Sequence, residues 1–157
     1  MAAKLATDPN IRPLTEALLA KTAMLYHDVW HQTQAPLQEL EVAKSRDLGF
    51  FKNRLLQWLE TTHVLSQREM ISGLISWEGS ILKALFVAPR SQGLGFGSRL
   101  LAIAEHQMNG AELQLDCVCG NYKARCFYEL HGWQIAPQPL ATEHPAKAAT
   151  WRMVKRR

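Results

Sequence analysis

Residues 85–101 read Leu85-Phe86-Val87-Ala88-Pro89-Arg90-Ser91-Gln92-Gly93-Leu94-Gly95-Phe96-Gly97-Ser98-Arg99-Leu100-Leu101. An apolar strand runs straight into a glycine-rich turn, and the turn opens an amphipathic helix. A row of backbone N–H groups across residues 92–98 is thereby exposed where a helix dipole is already positive. Such a turn cradles an anion, a phosphate or pyrophosphate above all. It also requires a strand and a helix to meet end to end, which points to a layered α/β architecture.

The chain has 157 residues, 47% apolar and 20% charged. That length and balance are those of one globular domain with a substantial core. We expect a short flexible lead-in over residues 1–10 and a single domain over 11–157. No apolar run is long enough to span a bilayer, and the first residues lack a signal-peptide pattern. A cytoplasmic protein without a membrane partner is the expectation. Cys117, Cys119 and Cys126 are an odd set, which suits a reducing compartment better than a disulfide framework. No second pair of Cys or His stands at zinc-ligand spacing, so no metal is expected. The net charge of +4 lies partly in the tail Lys155-Arg156-Arg157. No basic helix with interleaved aromatics accompanies it, so nucleic acid is not an expected partner.

Along the chain, Ile11-Arg12-Pro13 reads as a short strand. A helix capped by Thr15 follows, with Leu18, Leu19, Met24 and Leu25 on its apolar face. Residues 31–49 look irregular, and Phe51, Leu55, Trp58 and Leu59 mark a second helix over 50–60. The period then shortens to that of strands over 63–66, 70–77 and 80–87, joined by turns that make an antiparallel meander. A helix along Phe96, Leu100, Ile103, Ala104 and Met108 stops at Asn109-Gly110. Then come a strand through Leu113, Leu115 and Cys117, a helix over 121–131 and strands over 133–136 and 150–154. The order β-α-α-β-β-β-α-β-α-β-β predicts one twisted mixed sheet with helices on both faces.

The turn fits neither of two common phosphate loops. A dinucleotide fingerprint needs G-x-G-x-x-G, whereas this one is Gly93-x-Gly95-x-Gly97, and a Walker loop needs a lysine before its serine. Read with Val87-Ala88-Pro89 and Gln92, the segment resembles the acetyl-CoA signature of the GNAT N-acetyltransferases. A second stretch, Asn121-Tyr122-Lys123-Ala124-Arg125-Cys126-Phe127-Tyr128-Glu129 with Gly132-Trp133, resembles that superfamily's other motif. The order of elements is similar over nearly the whole chain.

The resemblance implies an enzyme that transfers an acetyl group from acetyl-CoA to a small-molecule or peptide amine. It implies that Gln92, Gly93, Leu94, Gly95, Phe96, Gly97 and Ser98 hold the CoA pyrophosphate. It also implies that the sheet splays at Phe86 and Val87, whose backbone then pairs with pantetheine. Asn121, Ala124 and Tyr128 share one helical stripe, which would face the thioester arm. Asn121 would bond the pantetheine, Ala124 would let it approach, and Tyr128 would donate a proton to the departing thiolate. A homodimer is a common assembly in the superfamily.

The acceptor amine must lose a proton, because an alkyl ammonium of pKa near 10.4 is only about 0.1% neutral at pH 7. Asp116 stands five residues before Asn121. Ribosomal-protein alanine N-acetyltransferases, which the second motif resembles, carry a general-base glutamate at that spacing. The strand before the glycine turn, where other members place a glutamate, has no carboxylate here. Glu78, or a relay through His27, Asp28 and His31, is the alternative. Glu39, Glu41 and Asp47 lie in the segment that would cover the acceptor, where they either attract a cationic amine or form a solvated acidic loop. Trp30, Phe50, Phe51 and Trp77 are candidate acceptor-pocket aromatics. Without a base, the same fold would serve as an acyl-CoA-binding or regulatory module instead.

Overall fold

The computed structural model describes residues 8–137 and 149–157. The chain begins with β1 (Ile11–Pro13), followed by α1 (Leu19–Thr33), α2 (Leu40–Ser45) and α3 (Leu48–Gln57). The meander β2 (Thr62–Gln67), β3 (Met70–Glu78) and β4 (Ile81–Val87) leads into α4 (Phe96–Gln107). Then β5 (Glu112–Val118), α5 (Tyr122–Leu130), β6 (Gln134–Ile135) and β7 (Thr150–Arg156) complete the described fold. The strands form one mixed sheet in the order β1-β2-β3-β4-β5-β7-β6, in which only β4 and β5 run parallel.

The expected architecture is present, with one helix more than the periodicity showed. The stretch expected to be irregular holds α2, six residues long, too short to display an apolar stripe. Thr15 makes no side-chain cap: a 3-10 turn over Glu16–Leu18 precedes α1. The second helix starts earlier than expected, at Leu48, because the Asp47 carboxylate accepts a hydrogen bond of 2.8 Å from the Phe50 amide. That is an N-cap, worth about 1 kcal/mol. Of the expected lead-in, residues 1–7 lie outside the described residues. Asp8 is ion-paired with Arg99, and the Asn10 carbonyl accepts from the Ser66 amide at 2.9 Å. The loop between β6 and β7 lies mostly outside the described residues.

Two cores lie on the two faces of the sheet. On one face α4 and α5 pack on Leu82, Leu113, Leu115, Cys117, Trp133 and Met153. On the other, α1 and α3 bring Ala23, Tyr26, Phe51 and Leu55 against Val64, Leu74 and Ala84. Trp133 is 1% exposed, and burying such a side chain contributes roughly 2–3 kcal/mol. Its indole N–H donates to Glu105 at 2.8 Å, and Glu105 also accepts from Lys155 at 2.9 Å, so the polar edge is satisfied.

Two bulges interrupt the meander, one at Ser72 in β3 and one at Lys83 in β4, and the second concerns the cleft. Ser76 pairs with Ala84 but Trp77 pairs with Leu82, leaving Lys83 as an extra residue in β4. This bulge exchanges the faces of the strand. Leu82 belongs to the α4–α5 core, whereas Ala84 belongs to the α1–α3 core.

A buried histidine in β2 makes stability depend on acid. His63 stacks on Trp77 with ring centroids 5.2 Å apart, and its Nδ1 has no hydrogen-bond partner. Burial lowers its pKa below 6.5, so the folded state takes up a proton less readily than the unfolded chain. Stability is therefore intact above about pH 6.5 and is lost as pH falls through the folded-state value. The urea midpoint should drop between about pH 7.5 and about pH 5.5, and drop less in His63→Phe; equal drops would remove His63 as the cause.

Candidate active site

The parallel ladder between β4 and β5 consists of Ile81 opposite Gln114 and Leu82 opposite Leu115. Beyond the bulge at Lys83 the two strands part. A cleft of about 730 Å³ opens between them, lined by residues 82–87 of β4, residues 115–118 of β5, the glycine turn and α5. One edge of β4 thus presents backbone N–H and C=O groups to the cleft, where hydrogen-bond partners are needed.

The glycine turn closes one end. Gly93 and Gly95 have φ of +78° and +82°, and Gly95 is the N-cap of α4. A Cβ built on either meets no atom within 4 Å, so the space beside these amides is open to a ligand. Gly97 differs, because a Cβ there would press on the Phe127 ring at 3.4 Å. Its lack of a side chain lets α5 lie close to the first turn of α4. Gln92 and Gly93, Gly95 to Gly97 and Ser98 all line the cleft, whereas Leu94 is 62% exposed and is not among the lining residues. The Gln92 side chain donates to the Val87 carbonyl at 3.1 Å and accepts from Lys123 at 3.0 Å.

The predicted stripe of α5 faces the cleft: Asn121, Ala124 and Tyr128 all line it. Asn121 also has a structural task, since its side-chain oxygen accepts from the Ala124 amide at 3.2 Å and caps α5. The Tyr128 ring packs against Phe127 and Trp133. Burial among apolar groups, with a smaller contribution from neighbouring Cys117, pushes its pKa well above 10. The phenol therefore keeps its proton across the neutral range. Burial also pushes the Cys117 thiol up to about 11, so it stays protonated and is a poor nucleophile. His131 fastens the helix to the turn, its two ring nitrogens lying 2.8 Å from the Phe127 carbonyl and 2.9 Å from the Ser98 hydroxyl.

The candidate bases are distributed differently from expectation. Asp116 lines the cleft, and both its oxygens face Arg152, at 2.6 Å and 3.4 Å. Glu78 instead accepts from the Trp58 indole at 3.2 Å, beyond the closed end of the cleft. His27 pairs with Asp28, and His31 bonds the Arg46 carbonyl; none of these three lines the cleft. Of the two readings for the acidic segment the structure favours solvated side chains: Glu39, Glu41 and Asp47 are exposed and do not line the cleft, and Asp47 is spent on its N-cap. Trp30 does line the cleft. Trp77 packs in the α4–α5 core.

Sequence reasoning missed Tyr26, Arg54 and Lys123, which also line the cleft. Lys123 sits inside the second motif at a position the motif leaves open. Tyr26 and Arg54 had only helical phase to mark them.

These features coincide with comparisons to known proteins. Residues 58–135 match the family model described as an acetyltransferase (GNAT) domain. The fold is similar to a GCN5-related N-acetyltransferase from Rhodopseudomonas palustris, with a TM-score of 0.74 at 21% identity, covering 97% of this chain and 98% of that one. It is similar as well to a PaiA N-acetyltransferase from Thermoplasma acidophilum in complex with coenzyme A, with a TM-score of 0.71 at 18% identity over 94% and 98% of the two chains. A ribosomal-protein-alanine N-acetyltransferase from Brucella melitensis gives a TM-score of 0.71 at 21% identity over 94% and 99%. A search of curated proteins found no match. The chain belongs to the GNAT N-acetyltransferase superfamily.

The cap on α5 can be separated from any ligand contact. Asn121→Ala should cost about 1 kcal/mol and lower the thermal midpoint by about 2–4 °C, while Asn121→Asp should keep the midpoint. Equal loss in both variants would show that the cap does not hold the helix.

Proposed function

We propose that the chain is an acetyl-CoA-dependent N-acetyltransferase that acts on a primary amine by direct attack within a ternary complex. The observation that carries this reading is the separation of β4 from β5 beside the glycine turn, with the Tyr128 phenol lining the gap. The open space at Gly93 and Gly95 fits a pyrophosphate against the turn's amides. Lys123, bridged to Gln92, adds a cation on the same side. The free edge of β4 at Phe86 and Val87 supplies backbone partners for the amides of a pantetheine arm, and the carboxamide nitrogen of Asn121 supplies another.

In the reaction the amine nitrogen forms a bond to the acetyl carbon, and the carbon–sulfur bond breaks. The sulfur leaves with the electron pair, accepting a hydrogen bond from the Tyr128 phenol, and takes its proton from solvent. A buried phenol that stays neutral is suited to donating that hydrogen bond, while its raised pKa makes it a poor source of the proton itself. The amine's own proton leaves separately. Asp116 is the one carboxylate lining the cleft among the described residues, and both its oxygens are already engaged by Arg152. We assign it the receiving end of a water relay rather than direct contact with the amine. The high thiol pKa of Cys117 favours direct attack over an acyl-cysteine.

The engaged Asp116 also supports a second reading, a module that binds acyl-CoA without turning it over. Release of free CoA thiol with one member of an amine panel separates the two, since tight binding without release would establish the module. Tyr128→Phe should lower kcat by about 10–100-fold with the KM for acetyl-CoA nearly unchanged; undiminished kcat would remove Tyr128 from the chemistry. Gly95→Asp places a carboxylate against the cradle and should weaken CoA binding at least about 100-fold in titration calorimetry. Retained affinity would show that the pyrophosphate lies elsewhere.

A further inference from the structure

The acceptor side of the cleft is cationic. A second cavity of about 130 Å³ is bounded by Tyr26, Trp30, Arg46, Phe50 and Arg54 among others, and shares Tyr26, Trp30 and Arg54 with the main cleft. Arg46 ends α2 and Arg54 lies in α3, and both guanidinium groups stack on one ring. Arg46 is 4.1 Å from the centre of Phe50, and Arg54 is 4.8 Å from it. Arg54 and Tyr26 line the same two cavities. Neither arginine forms an ion pair with a carboxylate among the described residues. Burial, and then the charge of Arg54, lower the pKa of Arg46. Two like charges brought together and partly desolvated are unfavourable in isolation. An oxyanion between them would offset that repulsion, and a guanidinium fork matches carboxylate or phosphate geometry.

The position of the cavity completes the argument. The Tyr26 ring lies 4.9 Å from the Phe86 ring of β4, and Phe86 lines the main cleft at the edge assigned to the pantetheine arm. The cationic cavity and that edge therefore lie on either side of one tyrosine. We propose that Arg46 and Arg54 form an anion subsite for the acceptor, so that the amine acetylated carries a carboxylate or phosphate a few bonds from its nitrogen. This rests on the acetyltransferase reading above and selects among amines: amino acids and aminoalkyl phosphates enter, and polyamines are repelled.

The test compares matched acceptors at saturating acetyl-CoA with the full-length protein. Common L-amino acids are paired with their amides, 2-aminoethyl phosphate with ethanolamine, and spermidine is added. The anionic member of one pair should have a kcat/KM at least about tenfold higher than its twin, and that pair identifies carboxylate or phosphate. Arg46→Gln should abolish the preference through acceptor KM, leaving the KM for acetyl-CoA unchanged; Arg54→Gln should abolish the preference as well, and Arg46→Lys should keep part of it. Equal rates within every pair, a preference for spermidine, or a preference that survives Arg46→Gln would overturn the proposal.

A binding measurement separates this proposal from the one beneath it. The N-acetylated amino acids and N-acetyl-2-aminoethyl phosphate should raise the thermal midpoint of the wild type but not of Arg46→Gln. Arginine-dependent binding with no turnover of any acceptor would keep the subsite and overturn acetyl transfer. Turnover without anion preference would do the reverse.

Discussion

The extra residue at Lys83 is the constraint from which the site follows. Antiparallel pairing with β3 continues on one side of β4, so the strand cannot leave the sheet. On the other side its pairing with β5 ends at Leu82. The bulge turns the strand over and away from its parallel neighbour, and the backbone groups released along β4 need new partners. A ligand with amides along its length is a better match for that edge than a compact one. The glycine turn then stands at the end of a ready-made slot, and α5 lies across it.

Much of this was legible in the sequence. Strand and helix periods located most elements, because Val64, Leu74, Leu100 and Leu113 alternate or recur as buried positions must. The glycine turn and the Asn121–Ala124–Tyr128 stripe were readable because local geometry alone puts their groups on one side. The bulge was not readable. It depends on the register of β4 against β3, and Ile81 to Val87 give no alternation that singles out Lys83. Nor was α2, whose six residues complete fewer than two turns.

The acceptor wall shows a different limit. Charge could be counted along residues 39–54, but which charges face inward depends on capping and on the angle between short helices. Asp47 turned to the Phe50 amide, while Glu39 and Glu41 turned to solvent. Arg46 and Arg54 turned inward over Phe50, since a guanidinium can lie on an aromatic face that a carboxylate avoids. The electrostatic character of the wall was thereby reversed from that of the segment's most conspicuous residues. Asp116 follows the same lesson, because its partner Arg152 lies on β7, thirty-six residues away.

The division of the core into two clusters has a consequence for how such a protein changes over time. The cradle at Gly95, the phenol of Tyr128 and the link through His131 and Ser98 all rest on the α4–α5 face. The arginines and aromatics of the acceptor wall rest on the α1–α3 face. The sheet stands between them, with β2, β3 and β4 each sending side chains to both faces. On the proposed reading, acceptor preference can drift by altering α1–α3 while the residues assigned to the donor are left intact. The fold separates what is chosen from what is done to it.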